Sequence, residues 1–134
     1  MSVPLPEGLL DLLRRPSPCF VATLMPDGSP QLTQTWVSTD GEHVVINVVD
    51  GMQKARNIAR DARVAVNVAD PDNPSRYYAV RGRVVSATTQ GGAESIDEIS
   101  HKYLGRAYPN FGGTSADRLL VTIEADSVHS PQGG

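Results

Sequence analysis

The chain has 134 residues, with 12 Lys and Arg against 15 Asp and Glu, a formal charge of −3. Hydrophobic residues at 40% and charged residues at 20% describe an ordinary globular composition, and the acidic balance argues against a polyanion-binding role. One cysteine, Cys19, excludes an internal disulfide and any multi-cysteine metal site, so no metal is expected. It fits a reducing, cytoplasmic setting.

No stretch approaches the ~20 apolar residues that cross a bilayer. Arg14 and Arg15 follow the short N-terminal apolar run instead of preceding it, which argues against a signal peptide. The whole chain, 1–134, is expected to form one domain, with 131–134 a frayed tail. A chain of this size buries about two-thirds of its unfolded surface, enough for one core but not for a deep private cavity. A large ligand would therefore sit at a subunit interface.

Leu9, Leu10, Leu12 and Leu13 recur at helical spacing, and Pro16 and Pro18 stop that helix. Cys19 to Met25 reads as a buried strand between prolines. Asp27-Gly28 is a turn, and Gln31 to Ser38 is the returning strand. Asp40-Gly41 repeats the turn before a third strand, His43 to Val49, so the three form a meander. From Met52, apolar residues at three- and four-residue intervals (Ala55, Ile58, Ala59, Ala62) predict an amphipathic helix capped by Asp50. Arg63 to Ala69 returns to period two, and Asp70 to Ser75 is a loop. Tyr77 to Thr88 is a long strand bent at Gly82. Ile96, Ile99, Tyr103 and Leu104 mark another helix, Tyr108 to Ser115 a loop, and Arg118 to Glu124 the last strand. Six strands, mostly antiparallel, with a few short helices fit a barrel, and a sandwich fits the count nearly as well.

Nucleophile-elbow, zincin, Walker and dinucleotide-binding motifs are all missing. His43, His101 and His129 are scattered and read as ordinary histidines, and Cys19 as a buried structural thiol. Two polar anomalies carry more. Gln31, Thr33, Gln34 and Thr35 place polar groups on both faces of one strand, and Asn47 interrupts Val44 to Val49. A buried amide is costly unless hydrogen-bonded. These atoms suit either an exposed edge or a flat heteroaromatic ligand. The second anomaly is Asp50-Gly51-Met52-Gln53-Lys54-Ala55-Arg56-Asn57, where free N–H groups at a helix start lie beside Lys54 and Arg56 and make an anion site. Consecutive elements with these properties describe a phosphorylated heterocycle.

Gly28 to Trp36, Val45 to Val48, Lys54 to Ile58, Asp61 to Val64, Tyr78 to Val84 and Tyr103 to Gly105 together resemble the pyridoxamine-phosphate-oxidase-like split barrels, over about Leu10 to Glu124. The short length and the Lys54-Ala55-Arg56-Asn57-Ile58 block look most like the actinobacterial branch that uses deazaflavin coenzyme F-420. The resemblance implies a mainly β fold, a six-stranded antiparallel split β-barrel of the FMN-binding type. It also implies a homodimer with cofactor sites at the subunit interface. By position, Gln31, Leu32, Thr33, Gln34, Thr35 and Trp36 would line the ring, and Asn47 and Val48 would border it. Gln53 and Lys54 would take the phosphate, helped by Arg56 and Asn57, and Tyr77 or Tyr78 would reach across from the second subunit. FMN-binding relatives carry Arg-Lys where this chain has Gln53-Lys54, which favours the deazaflavin over FMN.

The implied activity is hydride transfer between reduced F-420 and an unsaturated organic acceptor, with the loop 70–75 and the segment 103–113 setting specificity. The alternatives are an FMN-dependent oxidase or reductase, and a non-catalytic module that binds a flavin or tetrapyrrole. No side chain is assigned as catalytic acid or base, since solvent can supply the proton.

Overall fold

A computed structural model describes residues 2–111 and 113–131. Residues 132–134 of the expected tail lie outside them. The elements run α1 (Glu7–Arg14), β1 (Cys19–Leu24), β2 (Pro30–Thr35), β3 (Val37–Thr39), β4 (Val44–Val49), α2 (Gln53–Arg60), β5 (Arg63–Ala69), β6 (Tyr77–Thr88), α3 (Gly92–Leu104) and β7 (Arg118–His129). All pairings are antiparallel, in one sheet ordered β2-β1-β5-β6-β7-β4-β3.

That order closes the architecture. β2 and β3 are consecutive in the chain, parted only by Trp36, yet they lie at opposite ends of the sheet. Two edges joined by one residue force the sheet to curl back on itself, which is a barrel and not a sandwich. The strand expected over Gln31 to Ser38 therefore divides at Trp36: its first half pairs with β1 and its second with β4. Seven strands result where six are predicted, with the same path of the chain.

Period two decides what fills the interior. Cys19 and Val21, then Val64, Val66 and Val68, then Tyr78 and Val80 point inward, joined by Val44, Ile46, Val48, Val121 and Ile123. The four leucines of α1 close this core, and Ala55 and Ile58 add the apolar side of α2. Burying a side chain of this kind is worth about 1.5–3 kcal/mol, so the alternation fixes the register of strands such as β1 and β5, whose inward residues are buried and outward ones are not.

Two glycines permit close backbone approach. At Gly82, where the β6–β7 register shifts, an added Cβ would lie 2.1 Å from the Glu124 carbonyl oxygen. At Gly92, the first residue of α3, it would lie 2.0 Å from the Arg118 carbonyl oxygen, so α3 rests directly on the start of β7. β7 extends to His129, five residues beyond its predicted end, because β6 continues past its bulge and pairs Ala79 with His129. Asp50 does not cap α2. The N-cap is Met52, with no side-chain hydrogen bond, and the Asp50 N–H instead donates to the Asp117 carbonyl at 2.9 Å.

Candidate functional site

The bend at Trp36 opens a cavity of about 570 Å³. Gln34, Thr35 and Trp36 form one wall, Ile96, Ile99 and Tyr103 of α3 another, and Tyr108 and Phe111 the mouth. Asn47 and Arg118 lie at its polar end, and Pro16 to Pro18 complete the rim.

Trp36 is the hub of a ring cluster. It stacks on Tyr103 at 5.1 Å between centroids and 11° between planes. Tyr108 and Phe111 meet it edge-on at 6.2 and 6.4 Å, and each other at 5.8 Å. Such contacts are worth about 0.5–1.5 kcal/mol each beyond burial. Tyr103 is locked in turn: its hydroxyl donates to the Ser17 carbonyl at 2.6 Å and accepts the Val37 N–H at 3.1 Å. Burial pushes its phenol pKa up, so it remains neutral. The neighbouring Lys102 amine donates to the Leu13 carbonyl at 2.6 Å and to the Val37 carbonyl, tying α1, β3 and α3 together. Burial lowers that amine to about 8.

At the polar end, the Asn47 amide nitrogen donates to the Gly92 carbonyl at 2.8 Å, and its oxygen accepts Arg118 Nε at 2.7 Å. Both halves of Asn47 thus have protein partners, which satisfies the amide that interrupts β4. The Arg118 guanidinium lies 5.0 Å from the Tyr108 ring centroid and forms no ion pair among the described residues. Lys54, half-buried at the start of α2, likewise has no ion pair or hydrogen bond among them. Burial lowers its pKa; the nearby Cys19 opposes that shift and the Arg118 charge adds to it. Two neighbouring cations, neither in an ion pair among the described residues, suit an anionic ligand.

The other residues singled out by sequence fall into distinct places. Thr33 projects on the same side of β2 as Thr35, and its Oγ1 is the one buried side-chain polar atom without a partner among the described residues. Gln31 is engaged instead by the α2 interface: Asn57, fully buried, donates to Gln31 Oε1 at 3.2 Å and to Thr23 Oγ1 at 3.0 Å. Gln53 donates to Asn57 Oδ1 at 2.8 Å, and Arg56 bonds Gln53 Oε1 at 2.6 Å and the Gly51 carbonyl at 2.5 Å. Asn57 therefore clamps α2 to β1 and β2, Gln53 braces it from within the helix, and Arg56 lies exposed over the helix start. Val48 points into the core, and Tyr78 is buried against Gly8 of α1, so neither side chain lines the cavity. Tyr77, its neighbour, faces the opposite side of the sheet. Leu32 is 68% exposed there.

Arg118 escapes sequence reading, since a lone arginine before an apolar run carries no local signal. The β4–β7 register, which sets Arg118 opposite Val49, brings it to Asn47 and Lys54. The loop 70–75 does not reach this cavity, whereas the segment 103–113 supplies three of its rings. Of the histidines, His43 lies beside Asp40 and His101 on the Asp97 carbonyl, and none lines this cavity. Cys19 is buried and its thiol is pushed up to about 12 by that burial. No cluster able to hold a metal occurs among the described residues, and no described helix is long and apolar enough to cross a membrane.

Comparison with known proteins places the chain in a family. The profile of the pyridoxamine 5'-phosphate oxidase family matches residues 5–130, so the chain belongs to that family of split barrels. Among solved structures, an F-420 reductase is 33% identical, with 93% of this chain and 98% of that one covered and a TM-score of 0.80. A conserved hypothetical protein of Mycobacterium tuberculosis is 23% identical over 96% of this chain and 85% of that one, at a TM-score of 0.72. The Group A Streptococcus protein HupZ is 16% identical over 97% and 96%, at 0.69, and like the mycobacterial protein shares the fold alone. A search of curated proteins gives no match.

Proposed function

We propose that the chain is an oxidoreductase that moves a hydride between reduced coenzyme F-420 and an unsaturated organic acceptor. The observation that carries this reading is an orphaned Thr33 hydroxyl, on the same side of β2 as the cavity-lining Thr35, together with Lys54, a half-buried cation at the start of α2 that has no ion pair among the described residues. Such a set fits a ring with hydrogen-bonding edges and an anionic tail, and the 33% identity to an F-420 reductase supports the same cofactor. When bound, the deazaflavin would supply the hydride chemistry, and the protein the orientation and field. Thr33 would take a polar edge of the ring, Trp36 its flank, and Lys54 with the α2 N–H groups the phosphate. Gln53 is a neutral amide already engaged by Asn57 and Arg56, and it supplies no second cation there. This favours F-420 over a tightly held FMN.

A homodimer is part of the proposal. Phe20, Ala22 and Leu24 of β1, Leu32 of β2 and Ala65 of β5 share the outer sheet face by register, and Phe20 and Leu32 are exposed. A trough of about 670 Å³ runs across it, lined by Ala22, Leu24, Pro30 and Ala65 together with the polar Arg63, Arg81, Asp126 and Ser127. An apolar face of this kind suits a second copy, and Gln34 at its border also lines the cavity. The test is anaerobic mixing of the protein with reduced F-420 and a panel of quinones, enones and nitroarenes. Oxidation of the cofactor well above the uncatalysed rate is expected. Tight binding with no turnover across the panel would point to a binding module, and FMN retained through purification, with no uptake of F-420, to the FMN-dependent reading.

A further inference from the structure

The ring cluster and Arg118 have a joint consequence for the acceptor. We propose that the α3 side of the cavity is a subsite for planar conjugated carboxylic acids, with Arg118 holding the carboxylate and Trp36, Tyr108 and Phe111 flanking the π system. This rests on the oxidoreductase reading of the same cavity and specifies its acceptor class.

Arg118 is prepared for such a ligand. Its Nε is fixed by Asn47 at 2.7 Å and its plane lies near Tyr108, so the guanidinium is oriented before anything binds. Its terminal NH2 groups have no carboxylate partner among the described residues, although the side chain is half-buried at the cavity's polar end. A planar guanidinium matches a carboxylate in two parallel hydrogen bonds, which a lysine cannot reproduce. The rings define the other half of the site. Phe111 is 67% exposed yet held edge-on to Trp36 at 6.4 Å, a large apolar ring left at the mouth of the cavity. Trp36, Tyr108 and Phe111 offer faces and edges at fixed angles, complementary to a flat ligand. A saturated or uncharged molecule would use only half of these features.

Trp36 is the chain's single tryptophan, so quenching of its fluorescence reports occupancy without turnover. The probes are 4-nitrocinnamate and 4-nitrocinnamamide, alike in shape and differing in charge. The acid should bind about tenfold more tightly than the amide, the usual advantage of a charge-assisted bidentate contact. Arg118→Gln should abolish that preference by weakening the acid alone, and Arg118→Lys should keep only part of it. Phe111→Ala should weaken both probes equally. Rising salt should narrow the preference in the unaltered protein, a readout that survives even if Arg118→Gln does not fold. Equal affinities for acid and amide, or a preference kept in Arg118→Gln, would overturn the subsite. F-420 titrated into the same proteins separates the two readings. An Arg118→Gln that loses F-420 by the same factor assigns Arg118 to the cofactor and overturns the acceptor subsite. A clear acid preference in a protein that takes up no F-420 leaves the acid subsite in place and removes the cofactor reading.

Discussion

Replacing Thr33 by Val should move stability and cofactor affinity in opposite directions. Thr33 Oγ1 is buried without a partner, and a hydroxyl in that state costs about 1–3 kcal/mol. Val removes the unmet hydrogen bond, keeps the β-branched shape and suits a strand at least as well, here opposite Val21. The cofactor-free protein should gain about 1 kcal/mol, a rise of about 3–5 °C in Tm for a chain of this length. If the hydroxyl instead meets a polar edge of the cofactor ring, the same substitution deletes a hydrogen bond of about 1 kcal/mol, and the F-420 dissociation constant should rise about fivefold. Thermal melts without ligand and a fluorescence titration with F-420 measure the two effects. A cofactor-free protein destabilised by more than about 1 kcal/mol would mean that the hydroxyl has a buried water as partner. Unchanged F-420 affinity would remove Thr33 from the cofactor site.

Leu32→Glu places a charge on the exposed apolar face and should give a folded monomer with weakened F-420 binding by light scattering and titration; an intact dimer, or a monomer that binds fully, would contradict the interface. Gly82→Ala drives a Cβ to within 2.1 Å of the Glu124 carbonyl oxygen and should cost about 1–3 kcal/mol, read as a lower urea midpoint; an unchanged midpoint would contradict the close approach. Lys102 falls from 10.5 when unfolded to about 8 when folded, so between those values the unfolded chain binds more protons and this group's contribution to stability rises with pH. Relative to Lys102→Met, the unaltered protein should therefore gain stability from about pH 8 to 10; a flat difference would refute the buried amine.

The hairpins and helices are legible because their signals are local. Asp27-Gly28 and Asp40-Gly41 mark turns, and the apolar period marks α2, whatever the rest of the chain does. The break at Trp36 is not legible, since Gln31 to Ser38 reads as one strand and only the curl of the whole sheet gives its halves different partners. The end of β7 is hidden for a similar reason: Asp126 and Ser127 look like loop residues, yet Ser127 to His129 pair with β6 beyond a bulge at Asp126. In the site, Gln34, Thr35, Trp36 and Asn47 stand out as polar or aromatic exceptions within strands, and the fold brings them to one cavity. Asn57 is equally polar, but it lies on the buried side of α2, where a polar residue serves the α2 clamp to β1 and β2. Tyr77 and Tyr78 differ by one step in a period of two, which sends one to the outer face and the other to the core. Arg118 depends on a pairing between residues some 70 positions apart, as its bond to Asn47 records.

The central claim, that an anionic deazaflavin docks beside Lys54, is tested most directly by titrating F-420 and FMN side by side into the unaltered protein and Lys54→Ala. The unaltered protein should bind F-420 more tightly than FMN. Lys54→Ala should weaken F-420 about ten- to a hundredfold, the loss of a charge-assisted contact worth about 1.5–3 kcal/mol. Its thermal melt should not fall, because Lys54 is a half-buried cation with no ion pair or hydrogen bond to lose among the described residues and a neighbouring Arg118 that repels it. F-420 binding equal in the two proteins would contradict the account.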